Sequence, residues 1–131
     1  MTAVLKIKKR KDFLRVAKQG LKMVTSTVIL QAAQSLSASE TSPKIGFTTT
    51  KKLGKAHIRN RARRRMRAAL RETYNRLKPG YEYVLIGRYN TAECDFAKLK
   101  DDLIWGIKKL NKQFESTPDE QILPTAADSA D

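Results

Sequence analysis

The amino-acid sequence predicts an α+β fold in a single domain, arranged as an α/β sandwich. Its 131 residues, 40% of them hydrophobic, suit one small domain with one core. Segments rich in β-branched residues alternate with segments whose apolar residues recur every three or four positions. Two of the latter segments are long helices with a continuous apolar stripe, and such stripes need the face of a sheet to cover them.

The first half of the chain is expected to contain one helix followed by strands. Residues 10–19 form the helix, because three apolar side chains share one face at helical spacing, namely Phe13, Val16 and Ala17. Gly20 then stands where a left-handed C-cap is common. Residues 24–33 are rich in β-branched side chains and predict a strand. Residues 35–43 predict a polar loop, and residues 44–50 a strand with one apolar face.

The second half predicts a helix, a strand and a second helix. The helix at 55–77 has a stripe made of Ile58, Ala62, Met66, Ala69, Thr73 and Leu77, and Lys-Pro-Gly at 78–80 ends it. Residues 83–88 form a short apolar strand that can be buried on both faces. Asp95 is a candidate N-cap of the last helix, whose stripe is Phe96, Leu99, Leu103, Ile107, Leu110 and Phe114.

The charge of the chain favours a polyanionic partner. Lys and Arg number 27 and Asp and Glu 13, which gives a net charge of +14 and a pI of about 10.2. Such an excess favours binding to nucleic acid or to an anionic membrane surface. The excess lies in residues 1–115, because residues 116–131 contain four acids and no Lys or Arg. We expect residues 1–115 to form the domain and residues 116–131 a disordered acidic tail.

Other features narrow the class of protein. Cys94 is the single cysteine, which excludes an intrachain disulfide and favours a reducing compartment. One cysteine and one histidine give no spacing typical of a zinc site. No apolar run reaches the roughly 20 residues of a membrane span, and the N-terminal sequence lacks the apolar region and cleavage site of a signal peptide.

Residues 57–67 carry six arginines in eleven positions, and no acid occurs from residue 41 to residue 71. Opposite the apolar stripe of this helix lie Asn60, Arg63, Arg64, Arg67 and Arg71, with Arg61 and Arg65 at one edge, Arg59 at the other, and Lys51, Lys52 and Lys55 preceding them. Most charged helix faces are simply solvated, but they mix signs, because like charges four residues apart cost roughly 0.2–0.5 kcal/mol per pair. A membrane-surface helix stays an alternative, but such helices carry bulky Trp, Phe or Leu on the apolar face, whereas this face is rich in Ala, Met and Thr and suits packing in a fold. Arginine binds phosphate oxygens in pairs, so RNA or DNA is favoured.

The segment GFTTTKKLGKAHIRNRARRRMRAALRE at 46–72, with KDFLRVAKQG at 11–20 and YEYVLIGR at 81–88, resembles the bacterial ribonuclease P protein subunit across residues 8–114. The resemblance implies the fold of the second domain of ribosomal protein S5, with the order α-β-β-β-α-β-α and a left-handed β-α-β crossover. It also implies that the protein binds a large catalytic RNA, and that the complex removes the 5′ leader of precursor tRNA. The RNA is then the catalyst and holds the Mg²⁺. The protein is expected in the cytoplasm, with no membrane and no protein partner required.

The same resemblance implies roles for particular residues. The surface toward the catalytic RNA comprises Lys51, Lys52, Arg59, Asn60, Arg61, Arg63, Arg64, Arg67 and Arg71. A cleft for the leader comprises Phe13, Ala17, Gln31, Thr48, Thr50 and Lys52. The family usually has aromatic residues where this chain has Ala17 and Gln31. Stacking on a base contributes about 1–3 kcal/mol, so we expect less stacking and more backbone contact here. No catalytic or metal-binding residue is expected in the protein.

Several residues admit a structural and a functional interpretation. Phe13 fits a core position as well as a cleft position. His57 is interpreted as a polar residue at a helix start and Cys94 as a loop thiol, since neither has an evident acid–base partner in the sequence. Asp101 and Asp102 resemble metal ligands, but a solvated face opposite Lys98, Lys108 and Lys109 is the commoner arrangement. Trp105 lies opposite the apolar stripe of the last helix and can stack on RNA or cover a loop.

Two other classes of function stay open. One is a ribosomal or RNA-architectural protein, which binds RNA without affecting any cleavage. The other is a protein nuclease, which the sequence disfavours because such an enzyme needs clustered acids or a pair of histidines in an apolar pocket.

Overall fold

The computed structural model describes residues 5–7, 9–35 and 42–116, which form a five-stranded sheet with helices on both faces. In chain order the elements are β1 (Leu5–Lys6), α1 (Arg10–Gln19), β2 (Leu21–Val24), β3 (Val28–Gln34), β4 (Lys44–Thr48), α2 (Ala56–Thr73), β5 (Tyr81–Gly87) and α3 (Phe96–Ser116). Short 3₁₀ turns at Lys51–Leu53 and Tyr74–Arg76 flank α2. Apart from the two-residue β1, this is the order α-β-β-β-α-β-α.

The sheet has the strand order β1-β4-β5-β3-β2. β3 is antiparallel to β2 and β5, whereas β4 is parallel to β1 and β5. α2 connects β4 and β5, which are adjacent and parallel, and this is the expected β-α-β crossover. β1 pairs with Lys44 and Ile45 of β4. The later residues Phe47 and Thr48 therefore lie beyond this pairing, at the edge of the described part of the sheet.

Each face of the sheet has its own core, because side chains alternate along the strands. α2 and α3 cover one face, where Leu30, Tyr83 and Leu85 are among the fully buried residues. α1 covers the opposite face over a smaller core, made of Ile7, Val16, Ala33 and Val84, with Phe13 and Ile86 packed against it. A ten-residue helix is only about 15 Å long. It leaves part of this second face open.

Two expectations for the first half of the chain are wrong in detail. Residues 24–33 are not one strand, because a turn at 25–27 divides them into β2 and β3. The Thr25 hydroxyl donates to the Val28 carbonyl (2.6 Å) and accepts from the Val28 amide (3.1 Å), which closes this turn. Gly20 ends α1 in an extended conformation, with φ −87° and ψ 173°, and not in a left-handed one. Glycine is required there because a Cβ would collide with backbone carbonyl oxygens of α1 and β3.

The elements of the second half agree closely with the sequence analysis. α2 ends at Thr73, and the rest of its predicted length is the 3₁₀ turn Tyr74–Arg76. Asp95 directly precedes α3, and its carbonyl accepts the Leu99 amide at 3.0 Å. Residues 36–41 and 117–131 lie outside the described residues, so the polar loop and the acidic tail stay predictions. Within the described ranges, no helix is long and apolar enough to cross a membrane.

Candidate nucleic-acid interface

α2 presents its arginines on the side away from the sheet. Its apolar stripe is buried as predicted, with Ala62, Met66 and Ala69 at most 1% exposed. The helix has no acid in its first turn, so the partial positive charge at its N-terminus adds to the attraction for anions. Arg59, Arg63 and Arg65 are half-buried. We call the exposed outer residues the arginine surface, which consists of Asn60, Arg64, Arg67 and Arg71.

Two arginines at one edge of α2 hold the loop between β5 and α3, residues 88–95. The acceptors are backbone carbonyls: Ala92 for Arg61 Nε at 2.8 Å, and Thr91 (2.9 Å) and Cys94 for the guanidinium of Arg65. A tightly turned loop leaves such carbonyls without ladder partners, so these bonds stabilise it. Arg61, which the resemblance assigns to the RNA surface, therefore also has a structural contact inside the protein.

Arg63 lies at the opposite edge of α2. One of its terminal nitrogens donates to the Thr49 hydroxyl (2.7 Å) and the other to the Asn60 side-chain oxygen (2.6 Å). These bonds fix the guanidinium between α2 and the end of β4. A guanidinium has five N–H donors, so Arg63 keeps donors for a further acceptor.

Lys51 and Lys52 are exposed in the 3₁₀ turn that precedes α2. The turn ends at Gly54, whose φ of 128° suits glycine and few other residues. The Gly54 carbonyl accepts from Arg59 Nε at 3.3 Å. Both lysines thus lie next to the N-terminus of α2 and extend the positive charge of the arginine surface.

A cleft of about 540 Å³ opens between α1 and the sheet. Its walls come from five elements and the segment after β4, and comprise Arg10, Phe13, Leu14, Ala17, Gln31, Phe47, Thr48, Thr49, Arg63, Val84 and Ile86. Four residues of the predicted leader cleft are among them: Phe13, Ala17, Gln31 and Thr48. Thr50 and Lys52 do not line the cleft, because the chain has already turned away from the sheet towards α2 at these positions.

Phe13 belongs both to the cleft and to a core. It lines the cleft and also packs against the smaller core under α1. Its ring lies so close to Gly46 of β4 that a Cβ at Gly46 would be 2.5 Å from a ring carbon. The missing side chain at Gly46 therefore lets the ring rest on the sheet. The two interpretations of Phe13 made from the sequence do not exclude each other.

Sequence reasoning missed some walls of the cleft. Arg10 and Leu14 share a face of α1 with Phe13 and Ala17 at spacings of three and four residues, and this signal was available. Val84 and Ile86 had no such signal, because β5 is an apolar run whose two faces look alike in the sequence. Phe47, Thr49 and Arg63 were not assigned to the cleft either, since they reach it at the edge of the sheet.

A buried ion pair fixes α1 against the sheet. Arg15 of α1 bonds to Glu82 of β5, and the two side chains are 13% and 4% exposed. Arg15 also donates to the Gln34 carbonyl (3.1 Å), and the Ser35 hydroxyl donates to Glu82 (3.4 Å). α1 thus has a defined position relative to β3 and β5, and so does the wall of the cleft that it supplies.

The environment of Asp102 is neither that of a metal ligand nor that of a fully solvated helix face, the two interpretations made from the sequence. The expected contact with Lys98 is present at 3.0 Å. Asp102 also accepts hydrogen bonds from the hydroxyls of Thr27 (2.7 Å) and Ser26 (3.1 Å), and so ties α3 to the turn between β2 and β3. Burial opposes its ionisation, but these hydrogen bonds outweigh burial and lower the pKa of Asp102. Within the described ranges, no three His, Cys, Asp or Glu side chains are grouped closely enough to hold a metal ion.

The other residues singled out in the sequence are His57, Cys94 and Trp105. His57 is exposed in the first turn of α2. Cys94 is half-buried in the loop before α3, with its thiol 3.6 Å from the Thr91 carbonyl. Trp105 is 47% exposed on α3, and the Lys109 ammonium lies 5.8 Å from the centre of its ring.

Comparisons with known proteins agree with this architecture. A sequence model of the Ribonuclease P family matches residues 1–111. A ribonuclease P protein component from Gluconacetobacter diazotrophicus is 44% identical over 107 residues, which cover 79% of this chain and 89% of that protein. One from Paramagnetospirillum magneticum is 40% identical over 108 residues, which cover 80% of this chain and 81% of that protein.

Solved structures share the fold. The RNase P protein of Staphylococcus aureus matches with a TM-score of 0.69 at 20% identity, covering 82% of this chain and 95% of its own. That of Thermotoga maritima matches with a TM-score of 0.67 at 22% identity, covering 82% and 96%. The predicted fold is thereby confirmed. The family match over most of the sequence shows that this chain belongs to the bacterial ribonuclease P protein family, whose members are the protein subunits of ribonuclease P in tRNA 5′ maturation.

Proposed function

We propose that the arginine surface binds the catalytic RNA of ribonuclease P while the cleft holds the 5′ leader of precursor tRNA. The position of Arg63 carries this proposal, because Arg63 lines the cleft and is also part of α2, the helix that bears the arginine surface. The two surfaces therefore meet at one fixed guanidinium. A protein with this arrangement can hold the leader beside the catalytic RNA.

The arginine surface has the chemistry that phosphates require. The side chains of Arg64, Arg67 and Arg71 are exposed and donate no hydrogen bond to another described residue. Their guanidinium groups can each take two phosphate oxygens. Contacts of this kind give affinity and position without reading the base sequence, which suits the recognition of a folded RNA by its shape.

The cleft has the chemistry of a site for a single strand. Such sites combine positive charge along the backbone with aromatic rings on which bases stack. Arg10 and Arg63 supply the charge, and Phe13 supplies an aromatic ring in the cleft wall. Gln31, which is 8% exposed, adds a polar amide on the β3 side of the cleft. A single-stranded leader fits this composition better than a paired helix, whose bases are already stacked.

We assign the cleavage chemistry and the Mg²⁺ to the RNA. The described residues supply no cluster of metal ligands, and the arginines and lysines around α2 repel a cation. The contribution of the protein is then to bind and position both RNAs. We further propose that the protein acts in the cytoplasm and requires neither a membrane nor a further protein partner.

Reconstitution with the catalytic RNA and precursor tRNA at low Mg²⁺ tests this function. We expect the protein to stimulate 5′ leader removal by the RNA and to cleave nothing alone. A protein that binds the catalytic RNA without any stimulation would instead be RNA-architectural. Cleavage by the protein in the absence of the RNA would identify a nuclease and refute the proposal.

A further inference from the structure

Tyr89 is the most exposed large hydrophobic side chain in the described part of the chain, with 76% of its surface accessible. It lies in the loop of residues 88–95, between β5 and α3. A single exposed aromatic residue is common on protein surfaces and needs no explanation by itself. The contacts around Tyr89 are what distinguish it.

The residue before Tyr89 lies against its ring. The Arg88 guanidinium lies 5.9 Å from the centre of the Tyr89 ring, within the range of a cation–π contact. The same guanidinium donates to the Thr25 carbonyl at 2.6 Å, and the Arg88 amide donates to the Thr91 hydroxyl at 2.7 Å. The ring is therefore backed by a cation that is itself anchored to the turn between β2 and β3.

The other side of the loop is held by α2. Arg61 bonds to the Ala92 carbonyl and Arg65 to the Thr91 carbonyl, at 2.8 Å and 2.9 Å. Ala92 follows Tyr89 by three residues, so their Cα atoms are at most about 11 Å apart. Tyr89 therefore lies beside the edge of α2 that carries Arg61 and Arg65. The leader cleft lies at the opposite edge, where Arg63 contacts Thr49.

We propose that Tyr89, backed by Arg88, is a stacking site for an unpaired base of the catalytic RNA. The proposal rests on the function proposed above, because the occupant is the RNA that the arginine surface binds. The phosphates of that RNA lie against the arginines of α2, and a nucleotide next to them reaches the exposed ring. The base must be unpaired, because bases within a double helix are already stacked on each other. The cleft is on the other side of α2, so the occupant is not the leader.

Affinity measurements with two variants test the stacking site. Tyr89→Ala should weaken binding of the catalytic RNA about 5- to 150-fold, the range expected for one stacked base. Tyr89→Phe keeps the ring and should bind like wild type. Stacking releases few counterions, so the slope of log K against log salt should be the same for Tyr89→Ala and wild type. Thermal unfolding of each variant should match wild type, because the side chain is mostly in water.

A fluorescence measurement gives an independent readout. Tyr89→Trp in a Trp105→Phe background places a single tryptophan at the site, since Trp105 is the only natural one. Stacking should quench its emission when the catalytic RNA is added. An unchanged affinity of Tyr89→Ala, or emission that does not change, would overturn the stacking site while leaving the proposed function intact. A loss of affinity for precursor tRNA alone would place the ring on the leader and refute the assignment. Wild-type protein that fails to bind the catalytic RNA would overturn the proposed function itself.

Discussion

Replacing Gly46 with alanine should displace the Phe13 ring and thereby test its role in the cleft. A Cβ at Gly46 would be 2.5 Å from Cε1 and 2.7 Å from Cζ of Phe13, and 3.3 Å from Cβ of Ile7. Carbon atoms in ordinary contact are about 3.5 Å apart, so the ring has to retreat by about 1 Å. Gly46 has no positive φ, so alanine itself fits the backbone and the main clash is with Phe13, with a smaller one at Ile7.

The magnitude follows from the packing around the ring. Overfilling a packed site costs about 1–3 kcal/mol. We expect about 1 kcal/mol here, because the clashing atoms are the far end of one side chain and the cleft beside them offers space. For a domain of this size that corresponds to a fall in Tm of roughly 4 °C. If the displaced ring no longer stacks on a leader base, precursor tRNA should bind about 5- to 150-fold more weakly.

The assay compares precursor tRNA with mature tRNA, which has no leader, in the complex reconstituted with the catalytic RNA. Gly46→Ala should weaken the binding of precursor tRNA and leave the binding of mature tRNA unchanged. The double variant Gly46→Ala with Phe13→Leu is the matched control, because leucine is apolar but lacks the ring that clashes. It should recover part of the lost Tm while precursor affinity stays low. If Gly46→Ala folds with a lowered Tm but binds precursor tRNA with wild-type affinity, Phe13 is a core residue and not a leader contact.

Three further predictions concern other parts of the molecule. Replacing both Arg64 and Arg67 with alanine should reduce the slope of log K against log salt for the catalytic RNA by roughly 1.5, with at most a small fall in Tm from the lost contact between Arg67 and Phe47; an unchanged slope would exclude these arginines from the interface. Burial raises the pKa of Tyr83 to about 12, so stability should fall as the pH rises from about 10 towards 12, by up to about 3 kcal/mol. Chemical unfolding of Tyr83→Phe should lack this loss, and an equal alkaline loss in both proteins would contradict it. Asp102 has a lowered pKa despite the opposing effect of burial, so its stabilisation is present at pH 7 and is lost as the pH falls below about 4. The difference in unfolding free energy between wild type and Asp102→Asn should shrink accordingly, and a difference independent of pH would count against the assignment.

The long elements of the fold could be predicted because their signal extends over many residues. The stripe of α2 repeats through five turns, and a chance pattern of that length is improbable. The turn at 25–27 could not be predicted, since Thr25 and Thr27 have high strand propensity. It forms because the Thr25 hydroxyl takes the place of a backbone hydrogen-bond partner of Val28. The sequence does not indicate whether the hydroxyl or a backbone group of a neighbouring strand makes this bond. The two-residue β1 likewise depends on its partner β4.

The candidate site was less predictable than the fold, because its parts lie far apart in the sequence. The cleft forms where α1 crosses strands that follow it by up to about 70 positions, and periodicity within α1 does not say which strands those are. The arginines illustrate the same limit. A helical projection places Arg61 and Arg65 beside the arginine surface, but their acceptors are carbonyls 26–31 residues further along the chain. Their structural role therefore has no local signal.

These contacts also explain how α2 tolerates so many like charges. The arginines at its edges lie against partners with negative partial charge: carbonyl oxygens for Arg61 and Arg65, and a hydroxyl and an amide oxygen for Arg63. The Arg67 guanidinium lies over the Phe47 ring, 5.4 Å from its centre. Such contacts offset part of the repulsion within the protein, so phosphates need not offset all of it. In the function proposed above, the outer residues Arg64, Arg67 and Arg71 are the ones that bind the RNA. At 0.7–0.9 per phosphate, α2 should then contribute roughly −2 to −3 to the salt slope, a shallower dependence than all of its arginines together would give.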